Sequence, residues 1–257
     1  MCGRYDSLIP RDAFTNLFDV ALFPDTNFPP RYNIAPTQDI PIVRLTRERD
    51  ARELAMVRWG LIPFFMKEKP KVPHINARAE TIDRTPLFRE AFARRRCLVP
   101  ATGFFEWHHS GDRKQPFRIL MKDREPFAFA GLWEAARPDG ERVHSATIIV
   151  TAANDVVAPL HDRMPVILAP EDYAAWLDPE TAADEAKALL RPYPPAAMEA
   201  YPVSKLVNKY ENDTEEVIQP ITLGENPGDG SQEPKPRRAG KKKAEAKQLD
   251  LLAPSEE

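Results

Sequence analysis

The sequence predicts an α+β fold, in which antiparallel or mixed β-sheets carry a few short peripheral helices. The middle of the chain indicates the sheets, because apolar β-rich segments there are separated by Ser110-Gly111-Asp112 and Pro138-Asp139-Gly140, two runs of turn-forming residues. Proline indicates that the elements are short, since 27 of the 257 residues are proline and they are spread along the chain. The hydrophobic fraction of 42% is enough for a core and excludes a wholly disordered protein.

The amino-terminal part of the chain is predicted to contain two helices and two strands. Phe14, Leu17 and Phe18 recur at helical spacing, which predicts a short helix within residues 10–18. Residues 40–45 and 53–61 are typical of strands, joined by a charged connection. Thr85 followed by Pro86 predicts a second helix that extends to about residue 94, with the hydroxyl as its N-cap and proline at its first position.

The following part is predicted to begin with four strands, at residues 97–107, 116–121, 127–133 and 142–150. Two short surface helices follow at residues 170–177 and 181–190. After Leu223 the apolar residues disappear, and residues 235–247 hold seven basic residues against one acidic residue. We therefore expect one folded domain over residues 1–223 and a flexible tail over residues 224–257.

Charge and cysteine content exclude several classes of protein. The net charge of −3 and the pI of about 6.0 give no strong global attraction for nucleic acid. No apolar stretch approaches the ~18 residues that span a bilayer, so no membrane is expected, and the first residues do not resemble a secretory leader. Two cysteines without metal-ligand spacing predict free thiols in a reducing compartment and neither metal nor cofactor. We therefore expect a cytoplasmic protein.

Cys2 has a special chemistry if Met1 is removed. The mature chain would then begin with a 1,2-aminothiol whose α-amine titrates near ~7.7–8.0, so that a useful fraction is neutral at physiological pH. Such an amine forms a Schiff base with an aldehyde, and the neighbouring thiol closes on the imine carbon to give a thiazolidine. A cysteine elsewhere in the chain cannot do this, because its nitrogen is an amide. On this dipeptide alone, an incidental cysteine is the simpler interpretation.

Three further segments carry polar residues that could act in catalysis. Glu106 lies in Gly103-Phe104-Phe105-Glu106-Trp107, where it is either exposed at a strand end or held in a partly dry pocket that raises its pKa. His161 follows the last predicted strand and, taken alone, is equally typical of a surface histidine. Asn76 and Arg78 precede the predicted Thr85 helix, where capping and salt bridges would also explain them.

Several segments occur in a characteristic order along the chain. They are Met1-Cys2-Gly3-Arg4-Tyr5, Arg31-Tyr32-Asn33-Ile34-Ala35-Pro36, Trp59-Gly60-Leu61-Ile62-Pro63, Asn76-Ala77-Arg78-Ala79-Glu80-Thr81, Arg96-Cys97-Leu98-Val99-Pro100, Gly103-Phe104-Phe105-Glu106-Trp107, Gly131-Leu132-Trp133-Glu134 and His161-Asp162-Arg163-Met164-Pro165. In this order they resemble the SOS-response-associated peptidase (SRAP) family, the abasic-site processing proteins. The resemblance covers residues 1–222.

The resemblance implies a DNA-damage function. Abasic sites in single-stranded DNA expose an aldehyde, and the family's mature Cys2 traps it as a covalent thiazolidine crosslink after autocatalytic removal of Met1. By resemblance, Glu106 is the acid–base carboxylate, His161 promotes opening of the sugar ring, and Asn76 orients the Cys2 terminus and the opened sugar. The resemblance also implies a monomer that is associated with the nucleoid when it is bound to DNA.

The resemblance also implies a DNA-binding surface. Arg4, Arg78 and Arg163 match positions that line the DNA groove, and Asn33 and Thr151 are candidate polar contacts. In addition, Phe65 and Met66 stand where the family often has two tryptophans that stack on or wedge between bases. Phenylalanine still stacks, but this departure affects the strength of binding and the preference for DNA junctions.

The end of the tail resembles a second motif, the short bacterial segment that docks on the replication sliding clamp. The residues concerned are Gln248, Leu249, Asp250, Leu251 and Leu252. Two other functions remain open for the domain. One is a cysteine peptidase that acts on other proteins through Cys2 and His161. The other is a non-covalent single-stranded DNA-binding module that uses the arginines and aromatic residues.

Overall fold

Two β-sheets surrounded by short helices confirm the predicted α+β class. The computed structural model describes residues 2–110 and 113–223. The elements in chain order are β1 (Tyr5–Ser7), α1 (Ala13–Phe18), β2 (Val20–Leu22), β3 (Arg31–Ile34), β4 (Asp39–Leu45), β5 (Arg52–Trp59), β6 (Asn76–Arg78), α2 (Arg89–Arg94), β7 (Arg96–Ala101), β8 (Gly103–Ser110), β9 (Arg113–Met121), β10 (Phe127–Ala136), β11 (Val143–Ala152), β12 (Arg163–Pro165), β13 (Ile167–Leu168), α3 (Tyr173–Leu177), α4 (Ala183–Ala188) and β14 (Met198–Pro202).

The larger sheet closes on itself. Strands β5, β4, β7, β10 and β11 are joined by antiparallel pairs, and β11 then pairs in parallel with β5 at Ser145 and Arg58, which completes a ring. Beyond the part of β11 that pairs with β10, β11 also pairs with β6 and β12. The smaller sheet has the order β14-β9-β8-β1-β3 and is antiparallel throughout. Closing the ring removes unpaired edges from the barrel strands, which protects them from pairing with other chains.

The single strand predicted at residues 97–107 is wrong, because the structure has two strands there. β7 belongs to the barrel and β8 to the smaller sheet, with Thr102 between them. A Cβ atom on Gly103 would lie 2.8 Å from both Arg118 Nε and Asp6 Oδ2, so glycine allows β8 to pass close to this ion pair. The crossing brings the barrel and the smaller sheet together at the start of β8.

The start predicted for the second helix at Thr85 is also wrong. Regular helix α2 begins at Arg89, and the Thr85 hydroxyl donates to the carbonyl oxygen of Thr81 at 2.8 Å instead of capping the helix. The Thr85 carbonyl accepts from the Arg89 amide, so only an irregular turn precedes α2. The hydroxyl donates to a nearby backbone carbonyl and therefore does not cap the helix. Serine and threonine side chains commonly form such local bonds in place of a helix cap.

The first residues of the chain are packed between the two sheets. Tyr5 is fully buried, with its ring edge-on to Trp59 and Phe129 at centroid distances of 5.3 and 5.8 Å. The buried Asp6 carboxylate receives two hydrogen bonds from Arg118, at 2.8 and 2.9 Å. A buried ion pair with this two-point geometry fixes orientation strongly, since either partner alone would be an uncompensated charge. These contacts hold the chain just after Cys2.

None of the described helices is long and apolar enough to cross a membrane. The predicted tail at residues 224–257, with its candidate clamp-binding segment at 248–252, lies outside the described residues.

Candidate active site

Strand pairing places Cys2 next to the segment that carries Glu106. Tyr5 pairs with Phe104, and the Arg4 carbonyl accepts from the Phe105 amide at 2.9 Å. This antiparallel register, continued backwards along the chain, brings Gly3 level with Glu106. The Cys2 side chain is fully buried in the core cluster between the sheets, and its Sγ lies 4.0 Å from the carbonyl oxygen of Arg4.

The Cys2 thiol is strongly biased toward its protonated form. Burial raises its pKa well above the ordinary value, and the charge of Glu106 acts in the same direction. A thiol in this state needs a base to remove its proton before it can form a bond through sulfur.

Glu106 adopts the buried alternative of the two that the sequence allowed. It is 4% exposed, and burial raises its pKa to about 7, while the positive charge of the amino terminus opposes the rise. Glu106 lines a pocket of about 250 Å³ together with Trp107, His109, Lys114 and His161. A carboxyl group with a pKa near 7 can both accept and return a proton at neutral pH.

His161 shares that pocket and is held from the connection between β11 and β12. Its amide donates to the Val157 carbonyl at 3.0 Å, and its Nδ1 accepts from the Arg163 amide at 3.0 Å. Nδ1 also lies 2.8 Å from Asp162 Oδ1, a contact that becomes a hydrogen bond only when Nδ1 carries the proton. Burial lowers the pKa of His161, which favours the neutral imidazole.

Asn76 has a buried side chain with unused hydrogen-bonding capacity. Within the described part of the chain, neither its Oδ1 nor its Nδ2 has a hydrogen-bond partner, although both atoms are buried. It begins β6, where it pairs with Ile148 of β11, and the preceding Ile75 packs against the core cluster that contains Cys2. Buried amides normally have hydrogen-bond partners, so the amide of Asn76 is a candidate position for contact with a ligand or water.

Two of the predicted DNA-contacting residues point into the protein. The half-buried Arg4 donates to Asn33 Oδ1 at 2.8 Å and to the Val207 carbonyl at 2.6 Å. Asn33 is completely buried, and its amide donates to the carbonyls of Lys209 and Asn212 at 3.0 and 2.8 Å. In this arrangement Asn33 hydrogen-bonds Arg4 and the segment around residues 207–212, and its side chain is not exposed at the surface.

The other predicted DNA contacts differ in exposure. Phe65 is 51% exposed and packs edge-on against Phe64, with 5.5 Å between the ring centroids, whereas Met66 is partly buried. Arg78 is exposed, and Arg163 is partly exposed and bonded to Glu80. Thr151 is 6% exposed and pairs with Met164.

Arg78 and Arg163 nevertheless share one region. Arg78 pairs with Val150 on one edge of β11, and Arg163 pairs with Ala152 on the other. Both therefore lie at the carboxyl end of β11, near the connection that carries His161.

Three pocket residues were not singled out from the sequence. Trp107 forms one wall, and its indole Nε1 donates to Asn208 Oδ1 at 2.8 Å. His109 and Lys114 are directly paired across β8 and β9. The turn predicted at Ser110-Gly111-Asp112 was the available signal, since a hairpin closed there brings residues 109 and 114 together.

In the described ranges, residues 2–110 and 113–223, no group of three or more His, Cys, Asp or Glu side chains could hold a metal ion.

Comparisons with known proteins show the family to which the chain is related. The model of the SOS response associated peptidase (SRAP) family matches residues 1–210. The abasic site processing protein YoqW of Bacillus subtilis is 41% identical over 224 residues, covering 85% of this chain and 99% of the relative. The abasic site processing protein YedK of Escherichia coli is 32% identical over 228 residues, covering 86% and 100%.

A solved structure has the same fold. The crystal structure of a protein from Bacteroides thetaiotaomicron superimposes with a TM-score of 0.76 at 28% identity, covering 86% of this chain and all of the other. The extent of the family match and the identity to full-length relatives leave one assignment. The chain belongs to the SOS response associated peptidase (SRAP) family.

Proposed function

We propose that this protein processes abasic sites in single-stranded DNA by forming a covalent thiazolidine crosslink through Cys2 after Met1 is removed. The observation that carries the proposal is the buried Cys2 next to Glu106, whose pKa is about 7 and whose pocket also contains His161. The printed names of the relatives, abasic site processing proteins, support the substrate.

The reaction needs only proton transfers and the loss of water. The free α-amine of Cys2 adds to the aldehyde carbon of the opened sugar, and the resulting carbinolamine loses water to form an imine. The thiol then adds to the imine carbon, and its proton goes to the nitrogen, which closes a five-membered ring. Glu106 is suited to move these protons because it is close to half ionised at pH 7.

His161 and Asn76 are suited to the sugar. Opening the ring requires a proton at the ring oxygen, and the protonated form of His161, in the same pocket as Glu106, can supply one. Asn76 has an amide donor and an amide acceptor, both buried and without a partner in the described structure. These two groups would orient the opened sugar without paying for the loss of existing hydrogen bonds.

The raised pKa of Cys2 favours this chemistry over protein cleavage. Cysteine peptidases rely on a thiolate whose pKa is lowered by a nearby positive charge. Here burial and Glu106 raise the pKa of the thiol, and the positive charge of the amino terminus, which acts in the opposite direction, does not reverse the rise. A neutral thiol that loses its proton only as it adds to an imine is compatible with this buried environment. A thiolate that is present before the reaction is not. We therefore propose that the protein removes its own Met1 once and does not cleave other proteins.

The test is a crosslinking assay with a single-stranded oligonucleotide that carries one abasic site. We expect the wild-type protein to give a heat-stable band on a denaturing gel. Intact mass should equal the protein without Met1 plus the oligonucleotide minus one water. Cys2→Ala and a lesion-free oligonucleotide are the matched controls, and neither should give the band.

Other outcomes of the same assay would contradict the proposal. A stable band with Cys2→Ala, or with a chain extended by one residue before Cys2, would exclude the aminothiol. Binding without any stable band would favour a non-covalent DNA-binding module. Cleavage of an unrelated protein that depends on Cys2 and His161 would favour a peptidase.

The proposal extends to the DNA backbone and to the tail. Arg78 and Arg163, at the carboxyl end of β11, are suited to contact phosphates, so Arg78→Ala should lower the salt dependence of binding by about one released counterion. For the tail, we propose docking of residues 248–252 on the sliding clamp. Deleting these residues should abolish clamp binding in a pull-down with purified clamp, and unchanged binding would refute the idea.

A further inference from the structure

A second pocket with a strongly positive lining lies away from the candidate active site. It has a volume of about 150 Å³ and is formed by the β4–β5 turn, the end of α2, the start of β7, and the segment after α3. Its lining residues are Leu45, Thr46, Arg47, Arg49, Arg94, Arg96, Trp133, Leu177 and Pro179. Four of these are arginine and none is acidic.

The arginine-lined pocket and the Glu106 pocket have no lining residue in common. Arg96 begins β7 in the barrel, whereas Glu106 lies on β8 in the smaller sheet, beyond the crossing at Thr102. The arginine-lined pocket is therefore distinct from the Glu106 pocket.

The charges in this pocket are only weakly compensated by the protein. Arg96 is 3% exposed, and its guanidinium donates to the carbonyl oxygens of Phe92, Trp176 and Asp178. Among the described residues no carboxylate forms an ion pair with Arg96, although the negative charge of Asp178 partly opposes the lowering of the Arg96 pKa by burial. Carbonyl dipoles at the ends of two helices stabilise a guanidinium, but they leave its full charge in place.

The remaining three arginines keep most of their charge available as well. Arg49 pairs with Glu180 at 2.8 Å, but both side chains are more than half exposed, so water screens the pair. Arg94 and Glu90 are 3.9 Å apart and similarly exposed. Arg47 is exposed and has no ion pair among the residues that the structure describes.

One face of the pocket is aromatic. Trp133 of β10 lines it, and the guanidinium of Arg44 lies over the indole ring, 4.1 Å from its centroid. Arg44 is itself bonded to Glu53 at 2.7 Å, so its charge is largely offset. The positive charge of the pocket therefore comes from the four lining arginines. Because Trp133 lines the pocket, the signal of its indole can be used to detect a bound ligand.

We propose that this pocket is a binding site for a phosphate group, distinct from the site of lesion chemistry. Guanidinium groups present planar forks of N–H donors that match phosphate oxygens. Arg47, Arg49 and Arg94 line a space of suitable size, and Arg96, whose three nitrogens donate to backbone carbonyls, contributes its charge. The phosphate can come from the backbone of a DNA strand or from free phosphate. The inference does not depend on Cys2 chemistry, so it can fail while crosslinking is confirmed, or the reverse.

The experiment uses the full chain labelled with ¹⁵N and follows the indole N–H of Trp133 at constant ionic strength. One arm titrates inorganic phosphate against sodium chloride, and a second arm titrates a lesion-free single-stranded oligonucleotide. The test variant is Arg47→Ala with Arg94→Gln, two exposed residues of the pocket. The control is Arg89→Gln with Arg142→Ala, which removes the same charge at exposed positions outside the pocket lining.

We expect inorganic phosphate to shift the Trp133 indole signal in the wild type and the control, with roughly tenfold weaker binding in the test variant. A shift caused also by the oligonucleotide, and lost in the test variant, identifies the DNA backbone as a source. A shift caused by phosphate alone identifies free phosphate. An unmoved Trp133 signal in both arms, or equal affinities for test and control variants, would overturn the proposal.

Discussion

Replacing Glu106 by glutamine tests the proposed mechanism most directly. Glutamine keeps the shape of the side chain but can neither accept nor return a proton. Because general acid–base catalysis contributes about 10²–10⁴-fold, we expect the rate of crosslink formation to fall by at least roughly a hundredfold. The plot of the wild-type crosslinking rate against pH should change slope near pH 7, where Glu106 changes its charge. The variant should not show this change of slope.

The same substitution should change stability in a pH-dependent way. Burial raises the pKa of Glu106 from 4.5 to about 7. Between these values the folded protein holds a proton that the unfolded chain has released, so the free energy of unfolding falls as the pH rises and levels off above about 7. A shift of this size corresponds to about 3 kcal/mol. Glu106→Gln should remove up to that much of the decline between pH 4.5 and 8.

Urea unfolding at a series of pH values measures the stability, and the denaturing-gel assay measures the crosslink. Glu134→Gln is the matched control, because Glu134 is also a strand carboxylate and is 2% exposed. Arg95 donates a hydrogen bond of 2.8 Å to Glu134, and neither residue lines the Glu106 pocket. It should leave the rate of crosslinking at pH 7 unchanged. A Glu106→Gln protein that crosslinks at the wild-type rate with the same pH profile would refute the assignment.

Three other substitutions separate chemistry, folding and binding. Asn76→Ala should slow crosslinking while urea unfolding shows equal or higher stability, because it removes a buried amide without a partner; a large loss of stability would contradict this. Gly103→Ala should lower the free energy of unfolding by about 1–3 kcal/mol, because its Cβ would meet Arg118 and Asp6; wild-type stability would show that the neighbours yield freely. Phe65→Ala should weaken single-stranded DNA binding, measured by anisotropy, by up to about 1–3 kcal/mol if a base stacks there; unchanged affinity would exclude stacking.

Local patterns predicted the fold class and the longer strands, but they predicted neither the place where the chain changes sheets nor the short strands β1, β2, β3, β6, β12, β13 and β14. The strands flanked by turn residues could be predicted, because the alternation of apolar residues, the β-forming composition and the flanking turn residues all agree there. The crossing at Thr102 could not be predicted, since residues 97–107 are mostly apolar and look like one buried strand. What divides them is the approach of Arg118 and Asp6 to Gly103, and those residues are distant in sequence.

The candidate site was predicted more by the order of its motifs than by residue chemistry. Taken alone, Glu106 was equally compatible with solvent and with a dry pocket, because alternation along a strand does not reveal what covers each face. Its burial comes from packing across the two sheets. Asn33 illustrates the opposite limit: a polar residue in a family motif suggested a surface contact, yet its amide is used entirely inside the protein.

Folding and reactivity depend on the same few contacts at the start of the chain. An aminothiol is reactive toward any aldehyde, but the acid–base group exists only where β1 lies beside β8 and the β11–β12 connection completes the pocket. Tyr5 and the Asp6–Arg118 pair hold that strand in place, so they fix the distance between the thiol and Glu106. Burial meanwhile keeps the thiol protonated and out of solvent. In the proposed mechanism, selectivity for an aldehyde that enters the Glu106 pocket would therefore follow from the fold, because the unassembled chain has the proposed nucleophile without its proposed proton shuttle.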